Sequence, residues 1–386
     1  MNELVAAANA LTARWAATRT GGSEAMAGAG AWPLLAFLAS GADGPGRGEL
    51  SRAIGIDAGR AGEAGRTILA IMRESPAVRA ALGLWARESL PLEKAWTDDL
   101  PGGVLGTLSG DKAADQRLLD AWAAEHTAGL IPAMPLEVTD DVRLVLATAL
   151  TVRTQWIQRF FERRGGFEGG PWAGGGATAL RRTVTLTGVL SVVRSPAGAL
   201  TSHRVVGTDG IDVHLLLGEP GRSAGEVLAA GIGALNGDGE AEDLAAGPGV
   251  GVEIVTSAYP NDQLDVTVPK FTVAAAHDLL RLPDVFGLDT VTDTSRGHFP
   301  GISAEPLAVG QARQDVVARF DAEGFESAAV TAVGAVAAGA FAPAEQYRVK
   351  RVTLVFDRPF GFAAVDRGSG LVLTTGWVAQ PERRTG

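Results

Sequence analysis

The chain has 386 residues, 46% of them apolar and 20% charged, which is enough for one large domain or two ordinary ones with a real core. A formal charge of −10 argues against a nucleic-acid footprint. The absence of Cys rules out a disulfide framework, a thiol nucleophile and a Cys-ligated metal. Of the 34 basic residues only Lys94, Lys112, Lys270 and Lys350 are Lys, and Gly occurs 51 times. With the abundant Ala, this composition points to a GC-rich bacterial genome.

Asn2 caps a first predicted helix with Leu4, Ala8, Leu11 and Trp15 on one face. The same segment carries Glu3 and lacks a basic start with an apolar run, so no signal peptide is expected. Ala31 to Ser40 reads as a buried helix with Trp32-Pro33 near its start. Gly44-Pro45-Gly46 then reads as a loop, and helices follow at Glu49–Ile54 and Gly62–Arg73. Ala80–Glu88 is a strand or a short helix. Asp111 to Leu130 is an amphipathic helix with Leu118, Leu119, Trp122 and His126 on neighbouring faces and Gly129 as its C-cap. Val142–Val152 is a strand apolar on both faces. After a Gly-rich loop at 165–176, strand-sized runs lie at Thr183–Thr187, Gly188–Val193, Val213–Leu217, Gly251–Val255 and Leu264–Val268. Ala274 to Leu282 reads as a short helix, and Val316–Phe320, Val349–Phe356, Gly361–Val365 and Leu371–Val378 as strands. No repeat of 20 to 50 residues recurs, and no break in composition marks a domain boundary. The fold class is α+β, with helices first and strands later, in a single domain over residues 1–386.

One stretch stands apart. Asp321 to Pro343 opens on a charged corner, Asp321-Ala322-Glu323-Gly324, and runs without charge from Ser327 to Ala344. At period two, Phe325, Ser327, Ala329, Thr331, Val333, Ala335 and Ala337 share one face. Small side chains on both faces suit a strand that slides between two others. Ala and Gly are weak strand formers, so a segment that is loop in one state and strand in another fits best. An Ala-rich helix competes with this reading, but Gly334 and Gly339 and three Val residues oppose a long one. A membrane span is disfavoured, because the run lacks Leu, Ile and Phe over most of its length.

The search for an enzyme is thin. His126, His203, His214, His277 and His298 form neither a His-Glu-x-x-His motif nor a pair at metal-ligand spacing. There is no Gly-x-Ser-x-Gly elbow. Gly59–Thr67 lacks the Lys and Gly spacing of a phosphate loop and reads as helix cap and surface. Asn236-Gly-Asp238-Gly-Glu240 alternates acidic ligands like a calcium loop, but Ala241 stands where that loop needs Gly, so a solvated turn is expected. Asp98-Asp99 and Asp140-Asp141 read as capping pairs in turns.

Six pieces in order resemble the serpin family. Asp321-Ala-Glu-Gly-Phe-Glu-Ser-Ala-Ala-Val-Thr331 resembles its hinge. Val352–Phe356 with Arg358-Pro359-Phe360-Gly361-Phe362, and Gly370–Val378, resemble its closing strands. Leu264–Phe271 with Asp278-Leu279-Leu280 resembles its Pro-Lys-Phe strand and the helix after it. Ala121-Trp122 with Thr127, Gly129 and Ile131 resembles the long helix across the main sheet, and Leu144-Val-Leu with Trp156 and Phe160 the next central strand. The resemblance implies three β-sheets, about eight or nine helices and an exposed reactive-centre loop, here about 322–350. It implies a monomeric suicide-substrate inhibitor of a serine protease, without catalytic residues of its own, cofactor or metal, and an actinobacterial-type member. The protease acylates itself on the loop, which then inserts into the main sheet and distorts the catalytic triad. The extracellular space is the family's usual compartment; with no leader in view, the cytoplasm is the alternative.

Carried over by residue, the hinge is Ala322, Glu323, Gly324, Phe325, Glu326, Ser327, Ala328, Ala329, Val330 and Thr331. Gly324 matches the hinge Gly, where backbone freedom is expected to matter. Ala322 replaces the usual acid. Phe325 replaces Thr or Ser, and a ring on a face buried by insertion is expected to overpack it, at about 1–3 kcal/mol. Beneath the inserting strand, Gln314 replaces a His, Thr148 an Asn, and Ala27 and Gly30 two Ser. A weaker polar cluster across the gap is expected, or else a core repacked in step. Counting from Gly324 places the scissile bond at Ala338-Gly339, which predicts an elastase- or subtilisin-like target. Counting back from Phe356 places it at Arg348-Val349, which predicts a trypsin-like one. The hinge count is favoured because it governs insertion length. A non-inhibitory binding or scaffold protein on the same fold is the alternative.

Overall fold

The structure, a computed structural model, describes residues 3–163, 166–325 and 346–382. The helical opening comprises α1 (Glu3–Ala17), the short strand β1 (Glu24–Met26), α2 (Gly28–Gly41), α3 (Gly44–Ile54) and α4 (Ala61–Glu74). On α1, Ala8, Leu11 and Trp15 are buried as their spacing predicts; the capping expected of Asn2 falls outside the described residues. Gly44-Pro45-Gly46 is not a loop but the first turn of α3. Proline is tolerated there because the first turn has no partner for its missing N–H. Pro33 lies inside α2, which starts at Gly28, three residues before the expected boundary.

Next come β2 (Val78–Arg87), α5 (Lys94–Asp98), β3 (Leu105–Leu108), α6 (Lys112–His126), β4 (Leu144–Val152), β5 (Thr154–Gln155) and β6 (Phe161–Arg163). Asp111 caps α6 by accepting from the Ala113 and Ala114 amides, and the chain turns away at Gly129 with φ +81°. β4 is less uniform than its apolar sequence predicts: Val145, Ala147 and Ala149 are buried, whereas Leu144, Leu146 and Leu150 are half-buried.

The strand-rich part comprises β7 (Ala179–Thr185), β8 (Leu190–Ser195), β9 (Gly198–Val206), β10 (Ile211–Gly218), α7 (Ala224–Leu235), β11 (Glu240–Ala241), β12 (Val250–Ser257), β13 (Gln263–Pro269), β14 (Phe271–Asp278), α8 (Pro283–Phe286), β15 (Arg313–Phe320), β16 (Gly324–Phe325), β17 (Tyr347–Val355), β18 (Phe360–Asp366) and β19 (Val372–Val378). Ala274–Leu282, expected as a helix, is mostly strand. β14 pairs antiparallel with β15 from Phe271↔Phe320 to Asp278↔Arg313, and that ladder outweighs the helix propensity of three Ala. Only Leu279–Arg281 turns helically, capped by Asp278.

Among the described residues the strands form four hydrogen-bonded sheets. A seven-stranded sheet runs β1-β19-β18-β10-β9-β8-β11, and a five-stranded one runs β12-β17-β13-β7-β6. The other two, β14-β15-β16-β5 and β3-β2-β4, are halves of one broader layer. They share a strand that passes from β4 into β5 across Arg153. α2 lies under this layer and belongs to the main core. α6 lies on the opposite face, over a smaller core of Trp85, Leu119, Val145 and Ala147.

Candidate functional site

The decisive feature is where the two half-sheets meet. No ladder joins β4 to β15 among the described residues. β16 is wedged at one end of the interval. Gly324 and Phe325 pair antiparallel with Gln155 and Thr154 of β5, and Phe325 pairs with Phe320 of β15.

The turn before β16 is closed by its own side chain. Asp321 Oδ1 accepts from the amides of Glu323 and Gly324 at 2.9 and 3.0 Å, and the Asp321 amide donates to Gly324 O at 3.1 Å. The segment 156–160 then cradles the turn. The Trp156 amide donates to Glu323 O, Trp156 Nε1 to Asp321 O, and the Phe160 amide to Ala322 O, each at 2.9 Å. Gly324 is needed for close approach rather than for an unusual φ: a Cβ there would lie 2.4 Å from Thr154 O. Ala322 offers its carbonyl to the Phe160 amide and packs its methyl, half-buried, against the main core, and the adjacent Glu323 faces Arg159 at 3.9 Å on the surface.

Phe325 does not crowd its site. Its side chain is buried, 6.0 Å from the Phe362 ring. Around it stand Phe271, stacked on Phe320 at 5.2 Å, and Trp156, 4.8 Å from Phe320. These aromatics are scattered in sequence; the fold gathers them beside β16. Space for Phe362 comes from Gly376, where a Cβ would lie 2.7 Å from the Phe362 ring. The overpacking expected of Phe325 concerns the inserted strand, whose residues from 326 onward lie outside the described ones.

The cradle is held from behind by a buried cation. Arg182 of β7 donates to Gln158 O at 2.9 Å, lies 4.4 Å above the Phe160 ring and contacts His203 Nε2 at 3.0 Å. His203 Nδ1–H donates to Val189 O, which leaves Nε2 as an acceptor for the guanidinium. Burial draws the Arg182 pKa down to about 10. Burial first, and then the Arg182 charge, lower the His203 pKa to about 3.

The four replaced positions beneath the interval do come together, but they do not bond across it. Thr148 Oγ1 on β4 donates to Gly30 O at 2.7 Å. Gln314 on β15 donates through Nε2 to Ala27 O and accepts from the Ala27 amide, both at 3.0 Å. Each half-sheet is thus pinned separately to the start of α2, one at Gly30 in its first turn and the other at Ala27 just before it. Gly30 sits between them; a Cβ there would lie 3.4 Å from Thr148 Oγ1 and 3.5 Å from Gln314 Nε2.

Solved structures match this arrangement over 98% of the chain. Serpin48 of the insect Tenebrio molitor aligns with TM-score 0.72 at 16% identity and 98% of its own length. Thyroxine-binding globulin in complex with thyroxine aligns with TM-score 0.72 at 14% identity and 99% of its length. The chain has the serpin fold. A family model described as Serpin (serine protease inhibitor) matches residues 252–381. A rice protein (Oryza sativa subsp. japonica), named serpin-Z6C, is 25% identical over 366 residues, covering 86% of this chain and 80% of the relative. The family model and this relative both point to the serpin family, whose members are generally protease inhibitors rather than catalysts.

Within the serpin fold, Ala322, Glu323, Gly324 and Phe325 form the turn and wedge. Glu326, Ser327, Ala328, Ala329, Val330 and Thr331, and the bond Ala338-Gly339, lie outside the described residues. Arg348 and Val349 lie within β17, paired with Thr256 and Val255, and Val349 is buried. No group of three or more His, Asp or Glu that could hold a metal occurs among the described residues. No helix among them is long and apolar enough to cross a membrane. The sequence did not single out Arg182 and His203; of the adjacent Arg181-Arg182 pair in β7, nothing marks which one is buried.

Proposed function

We propose that this chain is a suicide-substrate inhibitor of a serine endopeptidase, acting by loop cleavage, acyl-enzyme trapping and insertion of the cut loop between β4 and β15. One observation carries the reading: β16 already occupies the mouth of an interval whose flanking strands are not laddered to each other. A strand continued from β16 in the same register would set residue 331 opposite both Thr148 and Gln314. It would reach Leu144, the start of β4, at residue 335. The slot thus takes about twelve residues from 324 onward.

That length supports Ala338-Gly339 as the scissile bond. A cut there frees little beyond what the slot accepts, whereas a cut at Arg348-Val349 would leave ten more residues, Pro343 among them. Arg348-Val349 is also committed to the β12–β17 ladder, whereas a protease needs free extended backbone on both sides of the bond. The small residues flanking Ala338-Gly339 suit an elastase- or subtilisin-like enzyme acting on the monomer. The Arg-biased, Gly-rich composition supports a bacterial, actinobacterial-type source.

Incubation with pancreatic elastase or subtilisin, followed by SDS gels, tests the proposal. A heat-stable covalent band supports it; loop cleavage with no such band, for every protease tried, rejects it. The second reading is a binding or scaffold protein. It is favoured by the seated Phe325 ring and by a neighbour solved with thyroxine. Melting temperatures before and after loop cleavage separate the two: a large rise means that insertion occurs, and no rise supports the binding protein.

A further inference from the structure

On the face opposite α2, the segment Met134–Val138 forms a strap between the two half-sheets. One side is tied to α6. The Met134 amide donates to Asp120 Oδ1 and the Val138 amide to Gln116 Oε1, both at 2.9 Å, and Gln116 Nε2 donates to Leu136 O at 3.2 Å. Met134 and Val138 are buried in the small core with Val145 and Ala147 of β4. On the β15 side the hold is much slighter. Gln311, two residues before β15, donates through Nε2 to Glu137 O at 2.7 Å and accepts from the Glu137 amide at 3.1 Å. Next to this tie, a cleft of about 700 Å³ lined by Leu136, Glu137, Asp278, Arg313 and Asp315 separates the strap from β14 and β15. The strap is therefore packed onto one half-sheet and tethered to the other through a single side chain among the described residues.

We propose that Gln311 is the latch that holds the strap across the far end of the slot and sets how fast insertion is completed. The inference rests on the insertion reading above. In the register of β16, residue 334 would arrive opposite Gln311, so the last few residues of an inserting strand pass beneath the strap. Completing insertion spreads β4 from β15, and the two Gln311 hydrogen bonds span that interval. Both bonds break together, because one planar amide makes them both. Arg143, just before β4, also pairs with Glu305 at 2.9 Å, but this is an exposed ion pair, worth about 0–1 kcal/mol.

The test uses the full chain, with each variant also made in a Glu305→Gln background that removes the Arg143–Glu305 pair, and a synthetic peptide of residues 326–337. Peptide uptake is followed as the rise in melting temperature with time. Gln311→Ala is expected to take up the peptide roughly 5–30-fold faster than wild type, the factor expected for loss of two exposed hydrogen bonds. Gln311→Glu, which keeps the acceptor and loses the donor, is expected to fall between. Glu137→Ala is expected to match wild type, because Glu137 contributes only backbone atoms. All loaded forms are expected to melt at the same temperature, which a general loss of stability would not produce. Equal uptake by wild type and Gln311→Ala overturns the latch and leaves insertion standing. Failure of wild type and Gln311→Ala alike to gain stability with the peptide overturns the insertion reading and the latch with it.

Discussion

The rings of Phe325 and Phe362 lie 6.0 Å apart, and both are buried. The contact joins the two-residue wedge to β18 of the seven-stranded sheet, so the wedge is docked against that sheet. Burying a Phe side chain contributes about 1.5–3 kcal/mol. Phe325→Thr, which restores the residue type usual at a serpin hinge, is therefore expected to loosen the wedge. Hydrogen exchange across residues 321–325 should accelerate by ~10–100-fold, with exchange in the β10–β18 ladder unchanged. Unchanged exchange at the wedge would show that the ring contributes nothing to docking.

Gln314 offers a second test. It satisfies both backbone groups of Ala27, a residue that precedes α2 and has no side-chain cap of its own. Gln314→Leu keeps the approximate volume and strands the Ala27 amide; the Ala27 carbonyl still accepts from the Gly30 and Ala31 amides at 3.0 and 3.3 Å. A stranded buried donor costs about 1–3 kcal/mol. The expected outcome is a loss of ~1–3 kcal/mol in urea unfolding of the uncleaved protein. Thr148→Val on the other half-sheet is expected to lose less, since it frees only one acceptor, Gly30 O. A smaller loss for Gln314→Leu than for Thr148→Val would contradict the assignment.

Much of the architecture was legible, and the exceptions have physical causes. Gly324 was singled out from a motif, but the close approach that requires a glycine there was not legible: a carbonyl 2.4 Å away is supplied by a residue 170 positions earlier in the chain. The helix expected at Ala274–Leu282 was lost to a ladder that only the distant strand β15 could supply. β9 escaped notice because Thr201, Ser202, His203 and Arg204 hide its pattern, although Thr201 and His203 are fully buried. α7 escaped because Gly225, Gly231 and Gly233 dilute its helix signal, yet Gly231 permits contact with Leu216 that a Cβ would block at 2.3 Å. The replaced cluster of Ala27, Gly30, Thr148 and Gln314 was found by position alone; that its members bond downward to α2 required coordinates.

Strand occupancy argues against cleavage at Arg348-Val349. Arg348 is exposed within β17 while Val349 beside it is buried against the sheet. Arg348→Ala is expected to leave the cleavage pattern and the covalent band unchanged. Ala338→Asp is expected to abolish the band with elastase, because a small apolar pocket rejects a charge. Mass spectrometry of the released C-terminal fragment decides: a fragment starting at Gly339 is expected, and one starting at Val349 would reverse the assignment.

The buried imidazoles make stability depend on pH. His203 is held at a pKa of about 3 by burial, the neighbouring Arg182 charge and His214, partly offset by its bond to Val189 O. His214 is held at about 4, chiefly by burial, with Asp212 pulling the other way. Both values lie below the ~6.5 of a free imidazole, so in acid the unfolded chain binds protons that the folded chain refuses. Their contribution is fully present above pH ~6.5 and is lost as pH falls through the range down to the folded values. Well below pH 6.5 each His contributes a slope of about 1.4 kcal/mol per pH unit. Urea midpoints should therefore fall between pH 7 and pH 5 before most carboxylates titrate. His203→Gln, whose side-chain oxygen can still accept from Arg182, is expected to remove about half of that slope while lowering stability at pH 7. A slope unchanged in His203→Gln would mean that the acid sensitivity arises elsewhere. The same Arg182 supports the cradle at Gln158 and Phe160, so the variant that flattens the pH profile should also perturb exchange at the Phe160 amide, which donates to Ala322 O at the hinge.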